Sequence, residues 1–397
     1  MGKPDKPIPY GRHWVDDEDI RAVVSVLKSD WLTQGAKVAE FEEALAAYCG
    51  SKYAVAVANG TAGLHLACLA LGIGKGSGLV TTPNTFVASA NCALYSGHVP
   101  YFADIAGETL NIDPDRVEAL LKKPGTGGKI KAIIPVHFAG RPCDMKVLSD
   151  LADKYGQRLI EDGCHALGAG TKKRGGGIER VGSCRHSDMT VFSFHQVKHI
   201  TTGEGGAVLT NDKRLYEKLC TLRSHGITKD KGRMSRDPGP WYYEMVDLGY
   251  NYRLTDLQCA LGHSQLKRLD SFVERRRAIA AQYDAAFEGM EHVVTPAPEK
   301  GVFHSYHLYV LKVDFKELKT NRRKVMEGLA ERGVRTQVHY IPVHLQPYYK
   351  KTFGYKAGDF PAAESYYDSA LSIPMYPKMT KAEVSRVIRA VRECLTR

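Results

Sequence analysis

Lys198 lies where a run of β-branched and aromatic residues, TVFSF, gives way to a stretch rich in threonine and glycine within residues 190–206. A lysine amine at the end of a buried strand loses hydration, which lowers its pKa and makes the amine a nucleophile toward an aldehyde. Because most lysines are solvated, Lys198 taken alone is better explained as a surface residue. The glycines behind it permit a tight backbone path back toward the amine.

Asp162 ends a second apolar run, RLIED. A carboxylate at a strand end can keep the nitrogen of an aromatic ring protonated, and this matters for pyridoxal 5'-phosphate (PLP), which accepts electrons when its pyridine nitrogen is a cation. The competing interpretation is an N-cap for the following segment, a common role of aspartate.

Gly60, Thr61 and Ala62 stand between the predicted strand YAVAVAN and a helical stretch. Glycine lets the backbone approach a ligand, threonine offers a hydroxyl, and the amides of a helix N-terminus bind phosphate. Ser193, five residues before Lys198, offers a second hydroxyl. Each feature also has an ordinary structural explanation, since strand–glycine–helix junctions are common and a serine hydroxyl is often satisfied within a sheet.

Phe86 and His165 are candidates for contacts with a cofactor ring. Phe86 can stack on the ring face, although a core position on an amphipathic helix explains it equally well. His165 can bond a ring substituent, although a lone histidine is more often structural. Cys164, Cys184 and His186 have spacings that fit no familiar zinc site, so we predict no metal.

The elements expected to position these residues alternate between strands and helices. Predicted strands are residues 53–59, 78–82, 99–104, 131–138, 158–162, 189–194 and 206–211, with helices predicted over 61–72 and 85–97. The alternation predicts an α/β fold with a mostly parallel sheet covered on both faces, and ligands bind at the carboxyl ends of such strands. An amine, a carboxylate, an aromatic ring and a phosphate cradle then meet at one edge.

The alternation of predicted strands and helices changes at about residue 263. Residues 265–289 resemble one long connecting helix, and the segments after it suggest a smaller α+β domain. We therefore expect a large domain with the N-terminal segment over 1–262 and a small C-terminal domain over 263–397.

Composition limits the function classes. The 397 residues carry a net charge of +11, with 43% hydrophobic and 25% charged residues, as in an ordinary soluble protein. No run is long enough for a membrane helix, and nine scattered cysteines indicate reduced thiols, so we predict a cytoplasmic protein without a membrane partner. The basic clusters 275–277 and 322–324 are expected to be solvated helix faces, which disfavours nucleic-acid binding.

Eight motifs make the sequence resemble the PLP-dependent DegT/DnrJ/EryC1/StrS sugar aminotransferases over nearly its whole length. They are SDWLTQG (29–35), NGTAGLHLA (59–67), TTPNTFVASANC (81–92), PVHFAGRPCDM (135–145), IEDGCHALGA (160–169), FSFHQVKHITTGEGG (192–206), RSHGI (223–227) and GYNYRLTDLQ (249–258). The resemblance implies fold-type I, the aspartate-aminotransferase-like architecture with a seven-stranded sheet, and a homodimer with shared active sites.

The resemblance also implies roles for individual residues. Lys198 is the Schiff-base lysine and proton shuttle, and Asp162 pairs with the pyridine nitrogen. Other cofactor contacts are expected from Gly60, Thr61, Ala62, Phe86, His165, Ser193 and, from the second subunit, Asn251. Substrate contacts are expected from Tyr10, Thr33, His195, Arg223, Tyr306, His339 and Tyr340. Gln196 stands where relatives usually have proline, a difference that can alter the path of the backbone to Lys198.

The implied reaction is ping-pong transfer of an amino group from L-glutamate to C4 of a UDP-linked 4-keto-6-deoxy-N-acetylhexosamine, through pyridoxamine phosphate, in pseudaminic acid biosynthesis. Alternatives are another nucleotide-linked keto sugar, or a sugar dehydratase of the same family, whose members carry histidine in place of the lysine. From other classes, a non-catalytic regulator that binds PLP or a sugar nucleotide, and a nucleic-acid-binding protein, remain open.

Overall fold

All seven apolar runs singled out as strands form strands in the structure, a computed structural model that describes residues 6–173 and 175–396. The strands are β1 (Tyr53–Val57), β2 (Gly78–Thr81), β3 (Val99–Phe102), β4 (Ile130–Ile133), β5 (Arg158–Asp162), β6 (Gly170–Lys172), β7 (Ile178–Arg180), β8 (Met189–Ser193), β9 (Gly206–Thr210), β10 (Ile227–Thr228), β11 (Glu244–Met245), β12 (Val293–Val294), β13 (Val302–Phe303), β14 (Tyr309–Val313) and β15 (Ala370–Ile373).

Helices alternate with the first strands, as the sequence pattern predicts. They are α1 (Asp17–Leu27), α2 (Ala36–Cys49), α3 (Gly60–Ala70), α4 (Ala88–Tyr95), α5 (Pro114–Lys122), α6 (Met145–Tyr155), α7 (Lys213–Arg223), α8 (Asp256–Leu266), α9 (Leu269–Phe287), α10 (Arg322–Glu331), α11 (Pro347–Phe353), α12 (Pro361–Ser369) and α13 (Lys381–Leu395). No helix in the described part of the chain is long and apolar enough to cross a membrane.

The central sheet has seven strands in the order β1-β9-β8-β5-β4-β2-β3. Its pairs are parallel from β8 through β5, β4 and β2 to β3, whereas β9 runs antiparallel to both β1 and β8. Residues 194–205 join β8 to β9 without a crossover helix, and a parallel pair needs such a crossover. The predicted mostly parallel, seven-stranded sheet is therefore confirmed.

Both faces of the sheet are buried, because neighbouring residues of one strand enter different cores. On β8, Phe192 packs with Phe41 and Leu45 of α2, whereas Val191 packs with Leu64 of α3. This alternation is the two-residue period of a strand, and it explains why the strands read as continuous apolar runs.

A further core lies in the C-terminal part, around β14, α9 and α13. Ile8 belongs to it, since its amide donates to the Gly333 carbonyl and its carbonyl accepts from the Arg335 amide. The predicted division into two domains at residue 263 stays a prediction. The N-terminal segment, which that division assigns to the large domain, contacts the second part of the chain through Ile8.

Two predicted helices differ from the structure. The helix over 85–97 begins only at Ala88, because polar side chains of the preceding loop bond elsewhere: the Asn84 amide donates to the Leu110 carbonyl, and Thr85 pairs with Ser89. The single helix over 265–289 is interrupted at Arg268, whose guanidinium binds Asp16 and Asp19.

Candidate active site

A cavity of about 760 Å³ opens at the carboxyl edge of the central sheet. Its lining includes most of the residues expected from the sequence: Tyr10, Gly60, Thr61, Ala62, Phe86, Asp162, His165, Ser193, His195, Lys198, His339 and Tyr340. They come from segments that follow β1, β2, β5 and β8, and from both ends of the chain. The sheet therefore brings together residues far apart in sequence, at the edge where parallel strands bind ligands.

The N-terminus of α3 forms one wall of this cavity. Asn59 caps the helix, its Oδ1 accepting a hydrogen bond from the Ala62 amide at 2.8 Å. A Cβ atom on Gly60 would stand 3.0 Å from the Ser193 Cβ atom and 3.1 Å from the Cys164 sulfur, so glycine gives the clearance here. Since Asn59 already binds the Ala62 amide, the Gly60 and Thr61 amides are the donors that the helix offers a phosphate.

Lys198 reaches the cavity from a tight turn after β8. Its amide donates to the His195 carbonyl at 2.9 Å, and exposed Gln196 fits within the turn without proline. The ammonium Nζ lies 3.4 Å from Nε2 of His307. Burial lowers the pKa of Lys198, Cys164 and Asp162 oppose the shift, and the Arg276 cation adds to it. The lowered pKa favours the neutral, nucleophilic amine.

The Asp162 carboxylate is held by two donors at the end of β5. Its Oδ2 accepts from the Ser89 hydroxyl at 2.6 Å, and its Oδ1 accepts from the Cys164 amide at 3.1 Å. The Ser89 hydroxyl in turn lies 2.7 Å from that of Thr85. Asp162 is 4% exposed, so these contacts fix a buried carboxylate at the cavity wall. Sequence reasoning missed Ser89 and Thr85, although both lie in the TTPNTFVAS motif.

Aromatic and imidazole rings form the other walls. Phe86 is 56% exposed, and the centroid of its ring lies 6.1 Å from that of Tyr340. The alternative interpretation of Phe86 as a core residue on an amphipathic helix is therefore wrong. The Tyr340 hydroxyl lies 3.0 Å from Nε2 of His165. Burial, reinforced by the Lys198 cation, holds the pKa of His165 well below its usual value. His165 is therefore a neutral imidazole at neutral pH.

Four predicted residues do not line the cavity of this chain. Arg223 is engaged elsewhere, donating to Glu42 and to the Ala56 carbonyl. Tyr306 stacks on His304, with 4.0 Å between ring centroids. Thr33 and Asn251 are exposed on the surface. Roles for these four in binding substrate or the second subunit's cofactor stay predictions.

Arg276 corrects the expectation that residues 275–277 form a solvated face. Its side chain is 1% exposed, and its Nη1 donates to the carbonyls of Tyr306, His307 and Met375. Burial lowers the pKa of Arg276 to about 9. Sequence alone gave no signal for this placement, since three consecutive arginines look alike until the packing of α9 is known.

Comparisons with known proteins fit this geometry. A model of the DegT/DnrJ/EryC1/StrS aminotransferase family matches residues 14–392. The chain belongs to the DegT/DnrJ/EryC1/StrS aminotransferase family. Membership confirms the resemblance, the fold-type I architecture and the enzyme class, a PLP-dependent sugar aminotransferase.

Two curated relatives have the same percentage identity to this aminotransferase, over aligned lengths that differ slightly. The spore coat polysaccharide biosynthesis protein SpsC of Bacillus subtilis is 42% identical over 387 residues, 97% of this chain and 96% of that protein. The UDP-4-amino-4,6-dideoxy-N-acetyl-beta-L-altrosamine transaminase of Campylobacter jejuni is 42% identical over 372 residues, 94% and 93% of the two chains.

Solved structures agree in fold. Helicobacter pylori PseC, an aminotransferase of pseudaminic acid biosynthesis, superposes with a TM-score of 0.88 at 32% identity, covering 98% of this chain and 99% of that one. The Streptococcus pneumoniae protein Spr1654, described as a sugar aminotransferase, has a TM-score of 0.88 in its PMP form at 29% identity, covering 98% of each chain. Its PLP form is also solved and matches with a TM-score of 0.87.

The residues of this aminotransferase suit PLP chemically. The cavity offers a half-buried amine for the aldehyde, a fixed carboxylate for the ring nitrogen, an exposed aromatic face and a helix N-terminus for the phosphate. Among the described residues no cluster of histidine, cysteine and carboxylate side chains is arranged to hold a metal ion. The cofactor of the family therefore fits this chain, with Lys198, Asp162, Phe86 and the Gly60 and Thr61 amides at the start of α3 as the groups that would hold it. The Ala62 amide is taken by Asn59, so a phosphate contact from Ala62 stays a prediction.

Proposed function

We propose that this aminotransferase moves an amino group from L-glutamate to C4 of a UDP-linked 4-keto-6-deoxy-N-acetylhexosamine, in a pathway to pseudaminic acid. The observation that carries the proposal is the convergence of Lys198, Asp162 and the α3 N-terminus on one cavity. The Campylobacter transaminase and PseC support this choice of sugar. SpsC is as similar by identity, so a different nucleotide-linked keto sugar is the alternative to test.

Lys198 is the proposed nucleophile and proton carrier. When bound, PLP supplies an electron-accepting ring that carries the amino group between the two substrates. The neutral amine of Lys198, favoured by its lowered pKa, would bond to the cofactor aldehyde with release of water. Once the donor's amino group displaces it, the freed Nζ would take a proton from the α-carbon of the donor. The same Nζ would deliver that proton to the former aldehyde carbon of the cofactor, and the reverse transfer would serve the second half-reaction, so one side chain serves both at short range.

Asp162 and its two donors have an electrostatic role in this proposal. The carboxylate would keep the proton on the pyridine nitrogen, and Ser89 and the Cys164 amide hold it in one orientation. A preoriented charge of this kind stabilises the developing charge without reorganising during the reaction.

Phosphate binding is assigned to α3 and β8. The Gly60 and Thr61 amides at the helix N-terminus, together with the Thr61 and Ser193 hydroxyls, would bind the cofactor phosphate. Tyr10, His195, His339 and Tyr340 line the rest of the cavity and are the proposed substrate contacts.

We also propose that the enzyme is a homodimer with shared active sites. Large apolar side chains are exposed near Asn251 in sequence: Trp241 is 71% exposed, Met245 66% and Leu248 72%. Such side chains in one segment are typical of a surface that another protein covers. Covering it with a second copy is the arrangement in which exposed Asn251 would reach the partner's phosphate. A cytoplasmic location is proposed alongside.

Absorption spectroscopy of the purified enzyme tests the function. We expect L-glutamate to remove the yellow band of the lysine-bound cofactor, and the UDP-linked 4-keto sugar to restore it. Restoration by a keto sugar on another nucleotide, and not by the UDP sugar, would shift the proposal to that substrate. A band that ignores glutamate would refute aminotransfer from this donor and favour the dehydratase or the non-catalytic binder.

A further inference from the structure

His307 lies against the amine of Lys198 from the other part of the molecule. It precedes β14, is 4% exposed, and places Nε2 at 3.4 Å from Lys198 Nζ, at the long end of hydrogen-bond distances. Within residues 6–173 and 175–396 it is the one side chain at hydrogen-bond distance from that amine. Its ring also packs on His165, with 4.4 Å between centroids.

The backbone around His307 is fixed on two sides. The His307 carbonyl accepts from Arg276 Nη1 at 3.3 Å, and the same atom donates to the carbonyls of Tyr306 and Met375. On the other side, the Ser305 amide donates to the Gly140 carbonyl at 3.0 Å. Arg276 is buried and bonds only backbone at this point, so substituting the His307 side chain leaves these anchors in place.

His307 is suited to receive a proton donor rather than to supply charge. Burial, and next the Lys198 cation, hold the pKa of His307 well below its usual value. A neutral imidazole has one acceptor nitrogen, and Nε2 is the nitrogen that faces Lys198 whereas Nδ1 has no partner. Other titratable or charged groups also interact electrostatically with Lys198. They are Asp162, Cys164, His165, His199, Arg276 and His339.

We propose that His307 is a positioning residue for the reaction, accepting a hydrogen bond from Lys198 and holding its Nζ at the cavity wall whenever that amine is not bonded to the cofactor. The proposal rests on the proposed role of Lys198. A lysine has four rotatable side-chain bonds, and proton transfer at short range requires its amine to stay in place. His307 supplies that constraint from a segment that Arg276 anchors.

The test compares full-length chains stripped of cofactor, in which the rate of covalent PLP capture is followed by absorbance across pH. Substituting His307→Leu removes the acceptor, and His307→Asn moves it away from the Nε2 position, because the shorter asparagine side chain places its oxygen near the position of Nδ1. Both changes destabilise the ammonium. The midpoint of the capture profile should fall by about one pH unit. His307→Gln can place an acceptor oxygen near the Nε2 position and should keep the parent midpoint. In steady state, His307→Leu and His307→Asn should lower kcat about tenfold with little change in the KM for glutamate.

His98→Leu is the matched control, a buried histidine that does not line the cavity, and it should keep the parent midpoint even if stability falls. An unchanged midpoint in both His307→Leu and His307→Asn would overturn the proposal, and His307→Asn alone decides it if His307→Leu does not fold. Covalent PLP capture that survives in Lys198→Ala would instead refute the role of Lys198, a failure distinct from that of His307.

Discussion

Gly206, the first residue of β9, lies where no side chain can fit. A Cβ atom there would stand 2.7 Å from the Asn59 carbonyl carbon, 2.7 Å from the Phe192 carbonyl oxygen and 2.8 Å from the Asn59 oxygen, well inside the 3.4 Å at which ordinary contact begins. All three atoms are backbone, so no rotation of a side chain relieves the clash. The substitution Gly206→Ala must therefore move β9 or Asn59.

The expected cost is about 3 kcal/mol of unfolding free energy, the upper end of the usual range for overpacking, because backbone atoms yield less than side chains. Part of that strain falls on Asn59, whose side chain caps α3 beside the Gly60 and Thr61 amides. We expect PLP affinity to fall about tenfold, which corresponds to about 1.4 kcal/mol.

Denaturant unfolding and PLP titration followed by absorbance measure the two effects. Gly203→Ala, in the same TTGEGG stretch, is the control: Gly203 has φ +80°, and a Cβ atom added there would have no neighbouring atom within 4 Å. It should cost about 1–2 kcal/mol through the left-handed backbone alone and leave PLP affinity unchanged. The reasoning is wrong if Gly206→Ala binds PLP as tightly as the parent, or if Gly203→Ala weakens binding equally.

Three further predictions concern the active site and the residues that act on it. Asp162→Asn should lower kcat by about 10²–10³, because the charge that stabilises the protonated ring nitrogen is lost. The unfolding free energy should change by no more than about 2 kcal/mol, since Ser89 and the Cys164 amide keep a polar partner. Steady-state kinetics and denaturant unfolding measure the two effects, and a kcat near that of the parent contradicts the electrostatic role. Arg276→Met, made in the His307→Leu background where the acceptor for Lys198 is already absent, removes a cation that lowers the pKa of Lys198, so the midpoint of PLP capture should rise relative to His307→Leu alone. An unchanged or lower midpoint in that comparison counts against this effect. Mixing inactive Lys198→Ala and Asn251→Ala subunits should restore about a quarter of the parental sites, because half of the dimers are mixed and each then has one intact site; no restored activity after confirmed subunit exchange excludes sharing.

The sheet and the two central side chains could be predicted because they depend on local pattern. Each predicted strand is a short apolar run, and Lys198 and Asp162 come directly at or after such runs. The carboxyl edge of a parallel sheet then brings them together whatever the lengths of the connecting loops.

The contacts between distant parts of the chain could not be predicted in this way. Lys198 meets His307 across 109 residues, a contact that depends on how β14 sits against the first core. Arg276 is 1% exposed although its neighbours in the sequence are also arginines. Its position on α9 directs its guanidinium to the carbonyls of Tyr306, His307 and Met375, and these partners come from distant parts of the chain. Arg223 lies in a motif of the family, yet its guanidinium is engaged by Glu42 within the same chain.

Borohydride reduction of the enzyme loaded with PLP, followed by peptide mapping by mass spectrometry, tests the central claim most directly. We predict one phosphopyridoxyl group per chain, attached to Lys198 in the peptide that follows β8. The Lys198→Ala variant, incubated with PLP without substrate and reduced in the same way, should carry none. Attachment to another lysine, or no covalent cofactor in the parent enzyme, would contradict the account of this cavity as the site of amino-group transfer.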